Sequence, residues 1–168
     1  MLKSDGIPSY EELQTVLPPP ERFAKGPVAI IECFQDIPCD PCVSSCPKHA
    51  IVMKSGITDR PRLEANLCVG CTLCVNCCPG LAVFVVDMTH SEKAATLTLP
   101  YECLPVPKVG EIVMGLDRSG KPVCEVKVLK VSTNKKYEKT WAITIELPKT
   151  QAMEIRGIKV APGKRGSK

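Results

Sequence analysis

The sequence predicts an α+β fold in two parts, a cysteine-rich domain over residues 27–100 and a small all-β barrel domain over residues 108–160. Three observations lead to this division. Nine of the eleven cysteines lie between positions 33 and 78, in two clusters that resemble each other. After position 108, short apolar runs alternate with turn residues, as in strands. The net charge changes as well, from −2 over residues 28–100 to +7 over residues 101–168.

Composition restricts the class of protein. Only 4% of the 168 residues are aromatic, with a single Trp141, and large rings normally supply much of a core. Residues 1–27 contain no apolar run of signal-peptide length, and no later run reaches the ~18 residues of a membrane span. We therefore expect a soluble cytoplasmic protein. In a reducing cytoplasm, clustered cysteines bind metal more often than they form disulfides.

Residues 1–26 are predicted to form an extended N-terminal arm. Its segment PSYEELQTVL has the pattern of a short helix, with Ser9 as the N-cap and Glu12 as the capping-box partner. The three prolines at 18–20 would end that helix. A loose terminus is the alternative. After the arm, VAIIE at 28–32 is a candidate buried strand that leads into Cys33.

The two cysteine clusters are internal repeats. Three cysteines and a proline of the first copy recur in the second at one constant offset: Cys39, Cys42, Cys46 and Pro47 match Cys71, Cys74, Cys78 and Pro79. Cys33 is out of step, because Cys68 lies three positions beyond the point where this offset would place its counterpart. We interpret this difference as a three-residue insertion within FQDIP of the first copy.

The second copy has the spacing Cys-x2-Cys-x2-Cys-x3-Cys-Pro, starting at Cys68. This spacing is typical of the ligand run of a bacterial two-cluster ferredoxin. Small residues such as Gly70 would let backbone N–H groups approach the cluster sulfurs. Over residues 27–100 the chain resembles the bacterial 2[4Fe-4S] ferredoxin family, which implies a ferredoxin-like domain with two [4Fe-4S] clusters as cofactors.

The resemblance implies two sets of ligands, each with three cysteines from one copy and one from the other. One cluster would take Cys33, Cys39, Cys42 and Cys78, and the other would take Cys46, Cys68, Cys71 and Cys74. If Cys33 did not bind, its site would hold a three-iron or a labile four-iron cluster. Zinc is the competing metal, although zinc ligands normally come in separated pairs. Disulfides are a further alternative, but an odd number of cysteines cannot all pair.

Three cysteines and both histidines remain outside these sets. Cys77 is predicted to be a small buried side chain, with a role as a substitute ligand as the alternative. Cys103 and Cys124 are predicted to pack rather than react. His49 follows the first cluster and is expected to face solvent, while His90 lies in a hairpin loop and carries no signal.

Strand patterns continue to the C-terminus. AVFVVD (82–87) and ATLTLP (95–100) predict a hairpin, and a linker follows at 101–107. Further strand candidates are GEIVMGLD and PVCEVKVLKV around an RSGK turn, and TWAITIEL. In CEVKVLKV the apolar phase changes after Val128, which predicts a β-bulge. This set of strands predicts an SH3-like or OB-like barrel, followed by a basic tail at 161–168.

The function expected from these features is electron transfer. The sequence contains no dinucleotide-binding or Walker A loop, and two histidines offer no Ser-His-Asp set, so we expect no catalytic site of its own. Lys135, Lys136 and Lys139 predict a charged hairpin tip rather than a nucleic-acid surface. We expect an electron-transfer subunit of a multi-subunit oxidoreductase. A free soluble carrier and a redox-sensing or cluster-handling protein are the alternatives.

The arm, the offset first motif and the β region are similar to ferredoxin-like subunits of anaerobe flavin-dependent amino-acid or amine dehydrogenases. This similarity implies a flavoprotein partner in a hetero-oligomer, which gives electrons to the clusters. The arm and the basic β domain are then expected to be docking surfaces for that partner. A domain that only covers a cluster from solvent is the alternative.

Overall fold

The computed structural model describes residues 5–134 and 137–161 of the chain. Its helices are short. The α-helices are α1 (Tyr10–Gln14), α2 (Pro20–Phe23), α3 (Pro41–Ser44) and α4 (Leu73–Cys77), and Lys149–Gln151 is a 3-10 turn. Helix α1 has the predicted capping box of Ser9 and Glu12. It ends before Thr15, ahead of the three prolines.

Most of the described chain is organised around one antiparallel sheet. Its seven strands lie in the order β1-β4-β5-β8-β7-β6-β9, and β2 and β3 form a separate pair. The strands are β1 (Val28–Ile31), β2 (Ile51–Val52), β3 (Arg62–Leu63), β4 (Val83–Asp87), β5 (Ala94–Tyr101), β6 (Ile112–Leu116), β7 (Pro122–Asn134), β8 (Tyr137–Pro148) and β9 (Gly157–Lys159).

The predicted fold class is wrong. The described chain is mostly β, with 34% strand and 14% helix, and its main sheet does not close into a barrel. The expected ferredoxin-like domain and the expected barrel are joined instead, because β5 pairs with β8 from Ala94↔Pro148 to Tyr101↔Trp141. The physical reason lies in Leu97 and Leu99, which are fully buried in a core they share with Ile143 and Ile145.

Several predictions about individual strands are confirmed, although the prediction of how the strands assemble is wrong. The β4–β5 hairpin and the β6–β7 hairpin around RSGK are confirmed by their registers. The bulge predicted after Val128 is also confirmed, since Val128 pairs with Ile145 and Lys130 with Thr144, which leaves Leu129 as the extra residue. Lys135, Lys136 and residues 162–168 of the predicted tail lie outside the described residues, and so does the side chain of Lys139.

Strands β1 and β4 are buried on both faces, which explains why their sequences are continuous apolar runs. On one face Ile30, Phe84 and Val86 belong to the aliphatic core shared with β5–β9. On the other face Ala29, Ile31, Val83 and Val85 pack against the cysteine loops and α4. The two cysteine copies therefore lie on one face at the β1–β4 end of the sheet.

Candidate metal centres

The sequence repeat is also a structural repeat. Helices α3 and α4 begin at Pro41 and Leu73, a separation equal to the offset of the cysteine repeat, and the starts of β2 and β4 have the same separation. Between each helix and its strand, one residue has a positive φ: 49° at His49 and 52° at Leu81. These two positions again differ by the repeat offset. The same turn therefore follows the Cys-Pro pair of each copy.

This turn directs a backbone N–H at a sulfur in both copies. Ala50 N donates to Cys46 Sγ at 3.3 Å, and Ala82 N donates to Cys78 Sγ at 3.4 Å. A third such bond links Ala29 N to Cys68 Sγ at 3.4 Å. Hydrogen bonds to sulfur stabilise the thiolate form and are a known control on the potential of iron–sulfur groups. Backbone N–H groups thus donate hydrogen bonds to three of the eight predicted ligand sulfurs.

Four cysteines line one cavity. They are Cys46, Cys68, Cys71 and Cys74. This is the second predicted ligand set, with three members from the second copy and Cys46 from the first. Most of the other lining side chains are apolar, among them Ala29, Ile51 and Leu63. We refer to these four cysteines as the Cys68 set.

The other four predicted ligands also come together. Cys33, Cys39 and Cys78 line a second cavity. Cys42 is buried near these thiols. Its burial, and then the neighbouring thiols with Cys78 foremost, raise its pKa to about 12. We refer to Cys33, Cys39, Cys42 and Cys78 as the Cys33 set. Cys78 of the second copy thus lies with cysteines of the first copy, and its role as a shared ligand stays a prediction.

Several of the thiols are disfavoured as free anions. Burial, and then the neighbouring Cys68 and Cys71, raises the pKa of Cys74. Burial is also the largest cause of the raised pKa of Cys33, to which Cys78 and Cys39 add. Thiolates gathered in apolar surroundings need a bound cation to remain ionised. The donor set therefore suits a metal group that binds to thiolates.

The described residues contain no group of three or more His, Cys, Asp or Glu side chains placed to hold one metal ion. A single tetrahedral zinc with Zn–S bonds of about 2.3 Å would hold its sulfurs about 3.8 Å apart. A cubane of four irons and four sulfides holds its ligands farther apart and needs more room.

The remaining cysteines have distinct surroundings. Cys77 is buried, as predicted, and its Sγ lies 3.0 Å from Ser45 Oγ. Ser45 and Cys77 differ by the repeat offset, so equivalent positions of the two copies touch. Cys124 packs partly against the aliphatic core. Cys103 is exposed, so its predicted packing role is wrong, because the segment after β5 leaves the sheet.

The histidines do not join either set. His49 is exposed, as predicted. His90 Nε2 lies 2.9 Å from Glu146 Oε2 in a partly exposed pair. Gly70 has a close neighbour, since a Cβ built there would lie 2.5 Å from Cβ of Pro27. With its φ of 65°, this explains why glycine stands between Cys68 and Cys71.

Sequence reasoning missed a buried arginine beside the Cys68 set. Arg22, in α2, is 6% exposed. Its Nε donates to the carbonyl of Ala65 at 2.8 Å and its Nη2 to the carbonyl of Cys68 at 2.7 Å. It also donates to the carbonyls of Gly26 and Pro27. We call this arrangement the Arg22 clamp. Its only sequence signal is a basic residue next to Phe23 in an otherwise loose arm.

It also missed an ion cluster beside the Cys33 set. Glu32 accepts hydrogen bonds from Arg118 and from Arg156, at 2.6–2.8 Å. We call these three residues the Glu32 clamp. Burial alone would raise the pKa of Glu32, but the two guanidinium groups outweigh it and hold the pKa below its ordinary value. A charged residue at the end of the apolar run VAIIE was the available signal.

None of the helices in the described part of the chain has the length and hydrophobicity needed to cross a bilayer. Comparison of the sequence with protein-family models and curated proteins, and with solved structures, finds no match. The geometry of the two cysteine sets therefore supplies the argument for function.

Proposed function

We propose that this chain binds two [4Fe-4S] clusters, one in each cysteine set, and transfers single electrons. One observation carries the proposal: eight of the eleven cysteines lie in two groups of four, each with three from one copy and one from the other. The ligand spacing of two-cluster ferredoxins has this exchange of the fourth cysteine. A pair of separate zinc sites gives no reason for it.

The surrounding residues support the same chemistry. When bound, such clusters accept and release one electron at a time. Ala29, Ala50 and Ala82 donate backbone N–H groups to three of the sulfurs, which helps to stabilise negative charge there. Apolar residues such as Ile51 and Leu63 shield the inner side of the Cys68 set from water. The chain thus binds, shields and tunes its cofactors.

A partner protein is part of the proposal, and we take it to be a flavoprotein subunit of an oxidoreductase. Cys71 is exposed, and the side chains of Val69 and Leu67 beside it are 52% and 53% exposed. Ile37, which is the repeat equivalent of Val69, is 45% exposed beside Cys39. Exposed apolar residues around a cofactor ligand suit contact with another redox protein, where a short distance favours electron transfer.

Reconstitution without oxygen tests the cofactor. We expect about eight iron and eight acid-labile sulfide per chain, with two EPR signals after reduction by dithionite. Cys71→Ser and Cys39→Ser should each abolish a different signal. Cys77→Ser is the matched control and should retain both, since Cys77 belongs to neither set. Bound zinc, or four iron with a single signal, would contradict the proposal.

Anaerobic purification from the native host tests the partner. A stoichiometric flavoprotein identified by mass spectrometry is the expected result. If the chain purifies alone yet carries both clusters, it acts as a free carrier.

A further inference from the structure

The first cysteine of each set lies outside the repeated local structure. Cys33 and Cys68 do not keep the repeat offset, from which they depart by three positions, and neither lies in a helix or a strand. The other six ligands belong to segments that recur in both copies, with equivalent helices and equivalent turns. Something outside the repeat must therefore hold Cys33 and Cys68 in place.

Cys68 is held from the N-terminal arm. The Arg22 guanidinium donates directly to the carbonyl of Cys68 and to the carbonyl of Ala65, three residues earlier. Its remaining bonds go to Gly26 and Pro27, at the entrance to β1. An arginine has five N–H donors in a rigid fork, and here four bonds go to backbone carbonyls. The Arg22 clamp therefore fixes the Cys68 loop against the start of the sheet.

Cys33 is held from the C-terminal strands. Glu32 immediately precedes it, and both carboxylate oxygens of Glu32 are engaged by Arg118 and Arg156. Arg118 follows β6 and also donates to the carbonyl of Met153. Arg156 precedes β9, donates to the carbonyls of Ala152 and Ile155, and lies 5.0 Å from the Phe84 ring centroid.

The Glu32 clamp is also buried. The side chains of Glu32, Arg118 and Arg156 are 7%, 16% and 4% exposed. Arg156 Nη2 is buried and has no hydrogen-bond partner among the residues that the structure describes. Removing one member of a buried ion cluster leaves the others uncompensated, so a change at Glu32 should be felt at the neighbouring Cys33 loop.

We infer that the arm and the C-terminal strands are positioning elements, each for one cysteine set. Arg22 positions the Cys68 set, and Glu32 with its two arginines positions the Cys33 set. This inference rests on the proposed binding of two clusters. It differs from the docking role expected from the sequence, because both segments turn their buried arginines inward to the ligand loops.

The test is a crossed comparison of two variants of the full chain. After anaerobic reconstitution, Arg22→Met should lose about half of the iron, together with the EPR signal that Cys71→Ser removes. Glu32→Gln should lose the other half, with the signal that Cys39→Ser removes. Arg22→Lys keeps the charge but not the fork, and should restore part of the first signal. Arg118→Lys is the milder variant of the Glu32 clamp if Glu32→Gln fails to fold.

A control variant separates positioning from general stability. Ile145→Ala creates a cavity in the aliphatic core, in strand β8, which contributes no residue to either clamp, and should weaken both EPR signals equally if it weakens them at all. The inference is overturned if Arg22→Met and Glu32→Gln lower both signals to the same degree, or if neither signal changes.

Hydrogen exchange gives a readout that does not depend on iron. In the protein as purified, Arg22→Met should accelerate exchange over residues 65–71, and Glu32→Gln over residues 33–39, each without affecting the other loop. If the wild-type chain binds no iron while this crossed exchange pattern is observed, the proposed function is wrong, but the inference that each clamp positions one loop is supported. If each variant accelerates hydrogen exchange equally in both loops, the inference that each clamp positions one loop is wrong.

Discussion

The two faces of the β1–β4 strand pair are filled in different ways. One face packs on fully buried aliphatic side chains from neighbouring strands, such as Leu97, Leu99 and Ile143. The other packs on cysteines and on a smaller set of apolar side chains, Ile51, Val75 and Ala142. The first core is completed by the chain alone. The second leaves space between thiols, so we expect its order to depend on what binds there.

This contrast explains the low aromatic content. A chain with 4% aromatic residues builds its aliphatic core from Leu, Ile and Val across the seven-stranded sheet. In the core on the cysteine face, the described buried side chains are aliphatic residues and cysteines. Metal binding and folding are coupled where ligands supply the packing, and this coupling should be confined to one face.

The largest effect is expected from truncation after Pro105. The shortened chain lacks β6–β9, so Leu97 and Leu99 lose β8 and the shared aliphatic core is left exposed. We expect complete loss of the folded state, and therefore of both cysteine sets, measured by circular dichroism and thermal unfolding. A chain that lacks only residues 162–168 keeps every described strand and is the control. A folded truncated protein would show that the cysteine face can stand alone.

Removal of iron should have an intermediate effect that divides the molecule by face. Without the proposed clusters, we expect fast hydrogen exchange over residues 33–48 and 66–80, because the thiols of those loops are no longer bound to a common metal group. Amides of β5 and β8 should remain protected, because their strands pair along the whole of β5 in the aliphatic core. Mass spectrometry of exchanged peptides makes the comparison. Equal loss of protection in β8 would mean that the two faces fold as one unit.

The smallest effect concerns pH. The pKa of Glu32 is lowered in the folded chain by Arg118 and Arg156, against the opposing effect of burial. Its contribution to stability is therefore full above the unfolded-state pKa, near 4.5, and is lost as the pH falls through the folded-state value. Urea unfolding between pH 7 and pH 3 should show a shallower acid decline for Glu32→Gln than for the wild type.

A parallel measurement controls for other carboxylates. Asp36 pairs with Arg60 on the surface, with side chains 67% and 49% exposed, and exposed pairs contribute little. Asp36→Asn should reproduce the wild-type acid decline. If it flattens the curve as much as Glu32→Gln does, the buried position of the Glu32 clamp has no special effect.

Local features of this chain could be predicted from sequence because their causes are local. Alternation identified β8, a phase change located the bulge at Leu129, and Ser9 with Glu12 marked the start of α1. The pairing of β5 with β8 could not be predicted, because each strand offers an apolar face without specifying which partner covers it. Because the partner strand was not specified, a separate barrel was wrongly predicted.

The candidate site likewise contains features with local causes, which could be predicted, and long-range contacts, which could not. The constant offset predicted two structurally equivalent copies, whereas the grouping of the eight predicted ligands was what the resemblance to two-cluster ferredoxins implies. The clamps escaped prediction because their members are far apart in sequence: Glu32 meets Arg118 and Arg156 across 86 and 124 positions. No periodic signal links such residues.

The exchange of the fourth cysteine has a consequence for how this arrangement arose. Cys46 completes the Cys68 set and Cys78 completes the Cys33 set, while Ser45 and Cys77, at equivalent positions, touch where the copies meet. Neither copy supplies four sulfurs to one site, so half of this region could not assemble a complete site by itself. Two separate polypeptides of that half, related by a twofold axis, would complete two sites together. The cysteine arrangement of the present chain is that of such a pair joined in one polypeptide.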